Sequence, residues 1–361
     1  MLTHGTVLLS VAAVACGLPS TVPLQLSEGF WRGDFTVGVQ NFSVSQENSS
    51  ERANAKEDLQ LTIDTGSFAI LVKEGLYKPG PATQQTNISE FIQFNGASED
   101  GIAPASETIF YVRDDVQFAD VTVHDFLAGN ITFGDDLPGD GVAGFSPPAS
   151  GNEDLSSGQG LIETICAQGD LTPCQFGLAL GKDRQGSFIF GEIDASKISG
   201  DVTVLPTTKT DSWTVRNATA ADAPNIVIDG TPFSPILATF DSGTPNIIGS
   251  LQQVRDILTL VDYNITEQTN EDHITVALGT YDCARTPARV GFSFPPSTAV
   301  HYIDLAANEL NRTADGRICT ANILGTSTVD APQWSIGQTW FQGRYVQHDL
   351  DNNTISFADL A

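Results

Sequence analysis

Apolar and polar residues alternate along much of this chain, which is the pattern of half-buried β-strands. Alternation is clear from Val22 to Val39, and strand patterning returns over Phe176–Glu192 and Phe341–Phe357. Apolar residues at helical spacing occur in two short stretches, Leu161–Cys166 and Leu251–Leu260. The hydrophobic pattern therefore predicts a mostly β protein with a few short helices.

Two similar motifs follow predicted strands, one in each half of the chain. Leu61–Ser67 reads Leu-Thr-Ile-Asp-Thr-Gly-Ser, and Ala238–Thr244 reads Ala-Thr-Phe-Asp-Ser-Gly-Thr. In both, apolar residues lead to an Asp, and the Gly two positions later supplies a backbone shape that residues with a β-carbon resist. Equivalent carboxylates at Asp64 and Asp241 indicate a duplicated fold that brings them together.

A pair of adjacent carboxylates has a defined chemistry. Two like charges at short range cannot easily coexist, so one carboxyl keeps its proton and the other ionises. Such a pair supplies an acid and a base in one site. The alternative is that each Asp only caps its turn. Because the motif occurs twice in matched contexts, the sequence favours the catalytic pair.

The paired motifs resemble those of the pepsin-like aspartic proteases. Asp140–Phe145 is similar to the family's Asp-Gly-Ile-Leu-Gly-Leu segment, and Trp334–Gly337 resembles its Trp-Ile-Leu-Gly segment. The resemblance begins near Val22 and continues to the C-terminus. It implies an all-β, bilobal fold, in which two β-barrel-like lobes enclose a cleft.

The resemblance also implies a domain division, for which 361 residues are enough. We expect a signal peptide at 1–17 and an N-terminal lobe at 18–199 that holds Asp64 and a flap. A C-terminal lobe at 200–361 would then hold Asp241.

Roles for the motif residues follow from the same resemblance. The two Asp side chains would hold a catalytic water, and their neighbours would support the pair or approach the substrate. The second turn has Ser where the family commonly has Thr, which keeps the hydroxyl. The expected supporting and substrate-binding residues are Thr65, Gly66, Ser67, Ser242, Gly243 and Thr244.

The expected flap departs from the family at two positions. A β-hairpin within Phe91–Val123 would close over the cleft, with a long acidic tip at Ser98–Ser106. Phe94 stands where the family has a substrate-contacting Tyr, and Leu71 stands where it has Trp. Since those two residues share a hydrogen bond in relatives, their joint replacement leaves neither partner buried and unpaired. Phe94 alternatively belongs to the core of the hairpin.

Gln338 replaces an Asp that is frequent in the family near the catalytic strands. It either changes the acidity of the site or is a neutral exchange within a hydrogen-bonded site, and the second interpretation is preferred. Together with Phe94 and Leu71, it motivates an alternative function. The chain would then be a binding or inhibitory protein that keeps the fold without turnover.

Composition narrows the possible partners. The formal charge of −27 argues against nucleic acid, whose phosphates would be repelled. It fits a protein that works in acid, although acidic surfaces also aid solubility. The five His residues form no His-Glu-x-x-His zinc pattern, and the sequence contains no nucleotide-binding loop. We therefore expect neither a metal nor a cofactor.

The first residues predict secretion. Val7–Ala15 is a short apolar run followed by small residues, so cleavage after Ala15 or Gly17 is expected. Little sequence lies between Gly17 and Val22, where relatives carry a pro-segment. Either the enzyme folds without one or the sequence is short at its start. The polar stretch Ser43–Asp58 predicts an inserted surface loop.

Cysteines and sequons agree with a secretory route. Cys283 with Cys319 resembles the disulfide of the family's second lobe, and Cys166 with Cys174 would close a local loop; free buried thiols are the alternative. Eight N-glycosylation sequons begin at Asn41, Asn48, Asn87, Asn130, Asn217, Asn264, Asn311 and Asn352.

These expectations combine into one reading. The chain is predicted to be a secreted, monomeric aspartic endopeptidase that binds extended peptides and acts in acid. Secretion to the medium or to a vacuole stays open. No later segment is long and apolar enough to suggest membrane insertion.

Overall fold

The computed structural model describes residues 21–38, 58–98, 101–134, 137–147, 160–208, 212–215, 223–270, 273–304 and 309–361. For residues 93–98 and 101–105 it describes the backbone only. The predicted signal peptide, almost all of the Ser43–Asp58 loop, and the sequons at Asn41, Asn48 and Asn217 lie outside the described residues.

The described chain is dominated by strands, as the alternating pattern predicts. It contains 25 strands, three α-helices and one 3₁₀ helix at Ala195–Lys197. The helices are α1 (Leu161–Gln168), α2 (Leu251–Leu260) and α3 (Gln338–Phe341). The strands are β1 (Val22–Ser27), β2 (Phe30–Val37), β3 (Leu59–Asp64), β4 (Ile70–Val72), β5 (Gln84–Ser98), β6 (Gly101–Phe118), β7 (Val121–Gly134), β8 (Gly141–Gly144), β9 (Gln175–Leu180), β10 (Gln185–Phe190), β11 (Ile198–Pro206), β12 (Thr214–Val215), β13 (Asn225–Ile228), β14 (Thr231–Pro235), β15 (Leu237–Phe240), β16 (Ile247–Ser250), β17 (Asn264–Thr269), β18 (Thr275–Asp282), β19 (Val290–Ser293), β20 (Val300–Tyr302), β21 (Glu309–Arg312), β22 (Ile318–Thr326), β23 (Gln333–Ile336), β24 (Arg344–Asp349) and β25 (Thr354–Leu360).

Both predicted helices are confirmed, and apolar spacing explains them. In α2, Val254, Ile257 and Leu258 recur at helical spacing and are buried against the neighbouring sheet. Helix α1 ends at Gly169, whose φ of 85° is the left-handed conformation that glycine adopts without strain.

Three sheets form the all-β, bilobal fold. The largest has the order β11-β25-β24-β9-β10-β1-β2-β3-β8-β4-β7-β6-β5, so strands from the end of the chain pair with strands from its first half. A second sheet runs β12-β15-β23-β16-β22-β18-β17, and a third runs β14-β13-β19-β20. The expected boundary between residues 199 and 200 falls inside β11, and the division at that point stays a prediction.

The hairpin of β5 and β6 corrects one expectation. The predicted hairpin is present, but the expected extent of its tip, Ser98–Ser106, is wrong, because backbone pairing continues to Ser98 opposite Gly101 and β6 begins at Gly101. Phe94 lies on β5 opposite Ala105. Alternation cannot reveal a strand through this Gly-, Ala- and Pro-containing stretch, which lacks β-formers at regular spacing.

An aromatic core lies where strands of the two halves meet. Phe176 on β9 stacks on His348 of β24 with ring centroids 4.5 Å apart. Trp213 lies edge-on to His348 at 4.8 Å, and its Nε1 donates to the carbonyl oxygen of Phe145 at 3.0 Å. Phe145 in turn packs 5.5 Å from Phe176. Because Phe145 directly follows β8, this core fixes the wall beside Asp64.

Two disulfides close loops as expected. Cys166 is bonded to Cys174 and Cys283 to Cys319, with Cα–Cα distances of 5.6 and 5.1 Å. Within the described residues, none of the helices has the length and apolar character that a membrane span requires.

Candidate active site

The first Asp turn follows directly from β3. Asp64 is the last residue of β3, and the turn residues Gly66 and Ser67 donate hydrogen bonds to its carboxylate. Gly66 N donates to Asp64 Oδ1 at 2.7 Å, and Ser67 Oγ donates to Asp64 Oδ2 at 2.7 Å. Both carboxylate oxygens are therefore held from within the same motif.

The second Asp turn repeats this geometry after β15. Gly243 N donates to Asp241 Oδ1 at 2.8 Å, and Thr244 Oγ1 donates to Asp241 Oδ2 at 2.5 Å. Asp241 thus has the same two kinds of partner as its counterpart in the first half. Matched donors at matched positions give both carboxylates the same orientation relative to their turns.

Reciprocal hydrogen bonds join the two turns. Ser242 N donates to Thr65 Oγ1 at 2.9 Å, and Thr65 N donates to Ser242 Oγ at 3.1 Å. Each hydroxyl also donates to a backbone carbonyl across the interface, Thr65 Oγ1 to Phe240 at 3.2 Å and Ser242 Oγ to Ile63 at 2.7 Å. Thr65 and Ser242 are fully buried. This network holds the two turns in one fixed relation.

The joined turns place each carboxylate against the glycine of the opposite turn. A β-carbon built on Gly66 would lie 2.5 Å from Asp241 Cγ, and one built on Gly243 would lie 2.2 Å from Asp64 Oδ1. Side chains do not tolerate such distances, so both glycines are required for the close approach. The two turns thereby bring Asp64 and Asp241 close to each other.

Burial and mutual repulsion favour a proton on this pair. Removal from water raises the pKa of Asp64 well above its usual range, and the negative charge of Asp241 raises it further. Hydrogen bonds from Ser67 and Gly66 lower the pKa of Asp64, but they offset only part of the increase. The arrangement therefore holds a carboxylic acid beside a second carboxyl group at a pH where an isolated Asp is ionised.

Two later strands support the turns, as the second pair of motifs suggests. Strand β8 lies parallel to β3 with Asp64 opposite Gly144, and β23 lies parallel to β15. A β-carbon on Gly144 would lie 2.5 Å from the Phe68 backbone, and one on Gly337 would lie 2.2 Å from the carbonyl oxygen of Thr244. Glycine at these positions lets the supporting strand pass directly beneath each turn.

Gln338 donates hydrogen bonds to backbone carbonyl oxygens of the second turn. Its side-chain Nε2 donates to the carbonyl oxygen of Ser242, and its backbone N donates to the carbonyl oxygen of Thr244 at 2.7 Å. The side chain is buried. These contacts match the interpretation of Gln338 as a hydrogen-bonded replacement.

A buried polar chain behind the second turn was not anticipated from sequence. Asn246 Nδ2 donates to Asn322 Oδ1 at 2.5 Å, Asn322 Nδ2 donates to Thr339 Oγ1, and Thr339 Oγ1 donates to Pro245 O at 2.7 Å. These residues are distant in sequence and belong to no motif. Only their burial in the folded chain identifies them as supports of the turn.

Leu71 lies in a satellite core beneath the hairpin. It is buried together with Ile109, Tyr111 and Ile131. The apolar side chain of Leu71 packs against these neighbours and brings no polar atom that would need a hydrogen-bond partner.

Five of the predicted sequons lie on described residues. Asn87, Asn264, Asn311 and Asn352 are exposed, and Asn130 is half-buried on β7.

Comparison with known proteins identifies the family of this chain. The sequence pattern of the family described as eukaryotic aspartyl protease matches residues 53–360, and the chain belongs to this pepsin-like family. An aspartic protease of Phaffia rhodozyma is 22% identical over 92% of this chain and 77% of its own length. Secreted aspartyl protease 1 of Malassezia globosa is also 22% identical, over 92% of this chain and 74% of its own.

A solved structure has the same fold. The aspartic proteinase from Irpex lacteus superimposes with a TM-score of 0.70 at 16% identity, and the match covers 94% of this chain and 97% of the other. At this identity the likeness concerns the fold, so the chemistry has to be argued from the site itself.

Proposed function

We propose that this protein is a secreted aspartic endopeptidase that hydrolyses peptide bonds in acid with Asp64 and Asp241 as its catalytic pair. One observation carries the proposal: each carboxylate sits against the glycine of the opposite turn, which brings the two carboxyl groups together. A fold that only capped two turns would not need this close approach, which places two acidic groups together.

The first chemical step uses both members of the pair. The ionised carboxylate takes a proton from a water molecule as the water oxygen bonds to the peptide carbonyl carbon. The protonated carboxyl donates its proton to the carbonyl oxygen as the carbonyl double bond opens. A tetrahedral diol results, and the single proton has changed sides within the pair.

The second step breaks the peptide bond. The newly protonated carboxyl gives its proton to the leaving nitrogen, and the C–N bond breaks as one diol oxygen loses its proton to the other carboxylate. The products are a carboxylic acid and an amine. The pair ends with one proton, as it began, so no covalent acyl intermediate forms on the chain.

The fixed hydrogen bonds on each Asp prepare this chemistry. Ser67 and Thr244 hold the Oδ2 atoms, while Gly66 and Gly243 hold the Oδ1 atoms. Carboxylates that are already oriented need not reorganise as charge develops. We expect an extended peptide to lie across the pair beneath the β5–β6 hairpin, held by backbone hydrogen bonds.

Secretion is supported by less direct observations. Two of the relatives carry "secreted" in their names, from Malassezia globosa and Candida albicans. The paired cysteines suit an oxidising compartment. Export to the medium is the preferred destination.

The test is inhibitor-sensitive cleavage by the purified protein. Denatured globin is incubated at acidic pH with and without a statine-type inhibitor, using wild type, Asp64→Asn and Asp241→Asn. Each dyad variant should lose at least about 10³-fold in kcat, because one half of the acid–base pair is gone. Asp330→Asn is the matched control, since this residue lies exposed in the turn before β23, its replacement creates no sequon, and the variant should retain full activity.

The pH profile provides a second check. Activity should fall from acid toward neutrality as the shared proton is lost, since the neutral carboxyl is the required acid. A maximum near neutral pH would contradict the mechanism. Absence of inhibitor-sensitive cleavage in wild type would favour the alternative of a binding protein with this fold.

A further inference from the structure

The outer face of the hairpin sheet carries three exposed phenylalanines. Phe91 on β5, Phe110 on β6 and Phe133 on β7 expose 62, 49 and 72% of their surface. Backbone pairing sets Phe91 and Phe133 on either side of Thr108, and Phe110 follows Thr108 by two residues on the same face. We call these three rings the outer aromatic patch. It exposes roughly 350 Å² of apolar surface, a size at which patches on monomers are often functional.

A bulge in β7 turns Phe133 toward this face. Ile131 pairs with Ile109 while Phe133 pairs with Thr108, so Thr132 is an extra residue in the ladder. Ile109 and Ile131 are buried on the inner face. Without the bulge, Phe133 would follow Ile131 onto the inner face by the two-residue period of a strand. The fold therefore directs a large apolar ring to solvent at a built irregularity.

The bulge lies inside a sequon. Asn130-Ile131-Thr132 is the acceptor sequence, and Asn130 pairs directly with Phe110 across β7 and β6. Directly opposite residues share a face, with β-carbons about 5 Å apart. A sugar joined to Asn130 Nδ2 would start beside the Phe110 ring. One face of a pyranose presents C–H groups that can pack on an aromatic ring while its hydroxyls remain in water.

We propose that Asn130 carries an N-linked glycan whose core sugars cover the outer aromatic patch. The Asn130 Nδ2–C1 bond forms as the sugar C1–oxygen bond to a lipid diphosphate donor breaks; the lipid diphosphate leaves and the amide proton passes to solvent. The glycan gives the exposed rings an apolar partner and presents a polar surface to water. This inference rests on the secretory route of the proposed function and is independent of catalysis.

Another sequon provides a matched comparison. Asn264 also lies on a strand and is exposed, but it pairs with Thr280 on β18 rather than with an aromatic residue. Because Thr280 is the residue that pairs directly with Asn264, it places no aromatic ring beside the first sugar of a glycan at Asn264. Asn264→Gln therefore removes a strand glycan without uncovering an aromatic patch.

The experiment uses the full chain secreted from a yeast host, with site occupancy measured by glycopeptide mass spectrometry. Native protein is treated with an endoglycosidase that leaves one N-acetylglucosamine or with an amidase that removes the whole glycan. Complete removal, or Asn130→Gln, should lower Tm by about 2–4 °C and cause self-association in light scattering. Trimming to one sugar should preserve most of the Tm, because the first ring covers Phe110.

Two further variants separate the sequence motif from the glycan. Thr132→Ser keeps the sequon and should behave as wild type, whereas Thr132→Ala removes it and should behave as Asn130→Gln. Asn264→Gln should leave Tm and association unchanged. In the glycosylated protein, Phe110→Thr should cancel the Tm difference between trimmed and fully deglycosylated forms.

Three results would overturn the inference. Asn130 could prove unmodified in secreted protein, or complete deglycosylation could leave both Tm and association unchanged. The glycosylated protein could also be a dimer that Phe110→Thr dissociates, which would make the patch an interface between copies. Globin cleavage measured in parallel keeps the questions apart: an inactive protein with the expected glycan effects would contradict the peptidase proposal alone.

Discussion

Asp64 is half-buried and His348 is fully buried, and Phe145 connects the surroundings of these two titratable side chains. Phe145 N donates to the carbonyl oxygen of Asp64 at 2.7 Å, and the Phe145 ring packs on Phe176, which stacks on His348. Burial raises the pKa of Asp64, whereas burial lowers the pKa of His348 to about 3. The same physical cause, exclusion of water, acts on an acid and on a base.

Low pH favours the form of Asp64 that burial stabilises and disfavours the form of His348 that burial stabilises. Burial stabilises the neutral form of both side chains. For Asp64 the neutral form is the protonated one, which the proposed mechanism uses. For His348 the neutral form is the deprotonated one, and within the described chain neither ring nitrogen makes a hydrogen bond of normal geometry. A low pH that favours the proposed catalytic pair therefore lowers the stability of the aromatic core.

The largest expected effect comes from replacing the buried base. The unfolded chain protonates this His below about pH 6.5, while the folded chain resists until about pH 3, so its cost grows as the pH falls through that window. His348→Phe should remove this cost and stabilise the protein by about 3 kcal/mol more at pH 4 than at pH 8. Denaturant unfolding at the two pH values measures the difference.

A control for this variant is available on the surface. His273 is exposed with a φ of 63°, a conformation that Gly adopts without strain. His273→Gly should leave the pH dependence of stability unchanged. If His348→Phe gives the same gain at pH 4 and pH 8, the core does not resist protonation, and the contrast with the catalytic pair is lost.

A smaller effect on stability is expected from replacing Asp64. Because the folded pKa of Asp64 is raised, its contribution to stability is complete below about pH 3.9 and is lost as the pH rises toward that raised value. This contribution therefore lowers the stability of the wild type between pH 4 and pH 8, against the increase that His348 gives over the same interval. Asp64→Asn cannot ionise, so relative to the wild type it should be more stable at pH 8 than at pH 4 by roughly 2 kcal/mol. If the free energy of unfolding changes equally in wild type and Asp64→Asn between pH 4 and pH 8, the pKa of Asp64 is not raised by folding.

The smallest effect concerns the contact between the aromatic core and the wall of the site. Trp213 lies edge-on to His348 and donates to Phe145. A double-mutant cycle of Trp213→Phe and His348→Phe should give a coupling energy of about 1 kcal/mol, since the residues are in contact. Strict additivity would show that these rings stabilise the fold independently.

The two Asp turns were the most predictable part of the site. Asp64 and Asp241 each follow an apolar strand and precede a glycine, so local sequence alone indicates two matching turns. The β5–β6 hairpin was less predictable, because Gly101 to Ala105 lacks alternating β-formers although it forms a strand. Its pairing partner on β5 decides its conformation, and pairing is not local information.

Sequence also left the second layer of the site undetected. Asn246, Asn322 and Thr339 are separated by many residues and form no pattern, yet they join into one buried chain. His348 offered no signal either, because a lone histidine in a strand reads the same whether it is exposed or buried. Both features depend on which strands become neighbours.

Local sequence is sufficient to predict the alternation that makes strands, the two Asp turns and the glycines that permit close packing around them. These features are local, since each depends on side-chain size or backbone freedom within a few residues. The folded chain was needed to show that Gly66 contacts Asp241, that His348 packs against Phe176 and Trp213, and that Asn130 pairs with Phe110. Burial, register and charge proximity arise when distant segments meet, and the pKa of each buried group is set there.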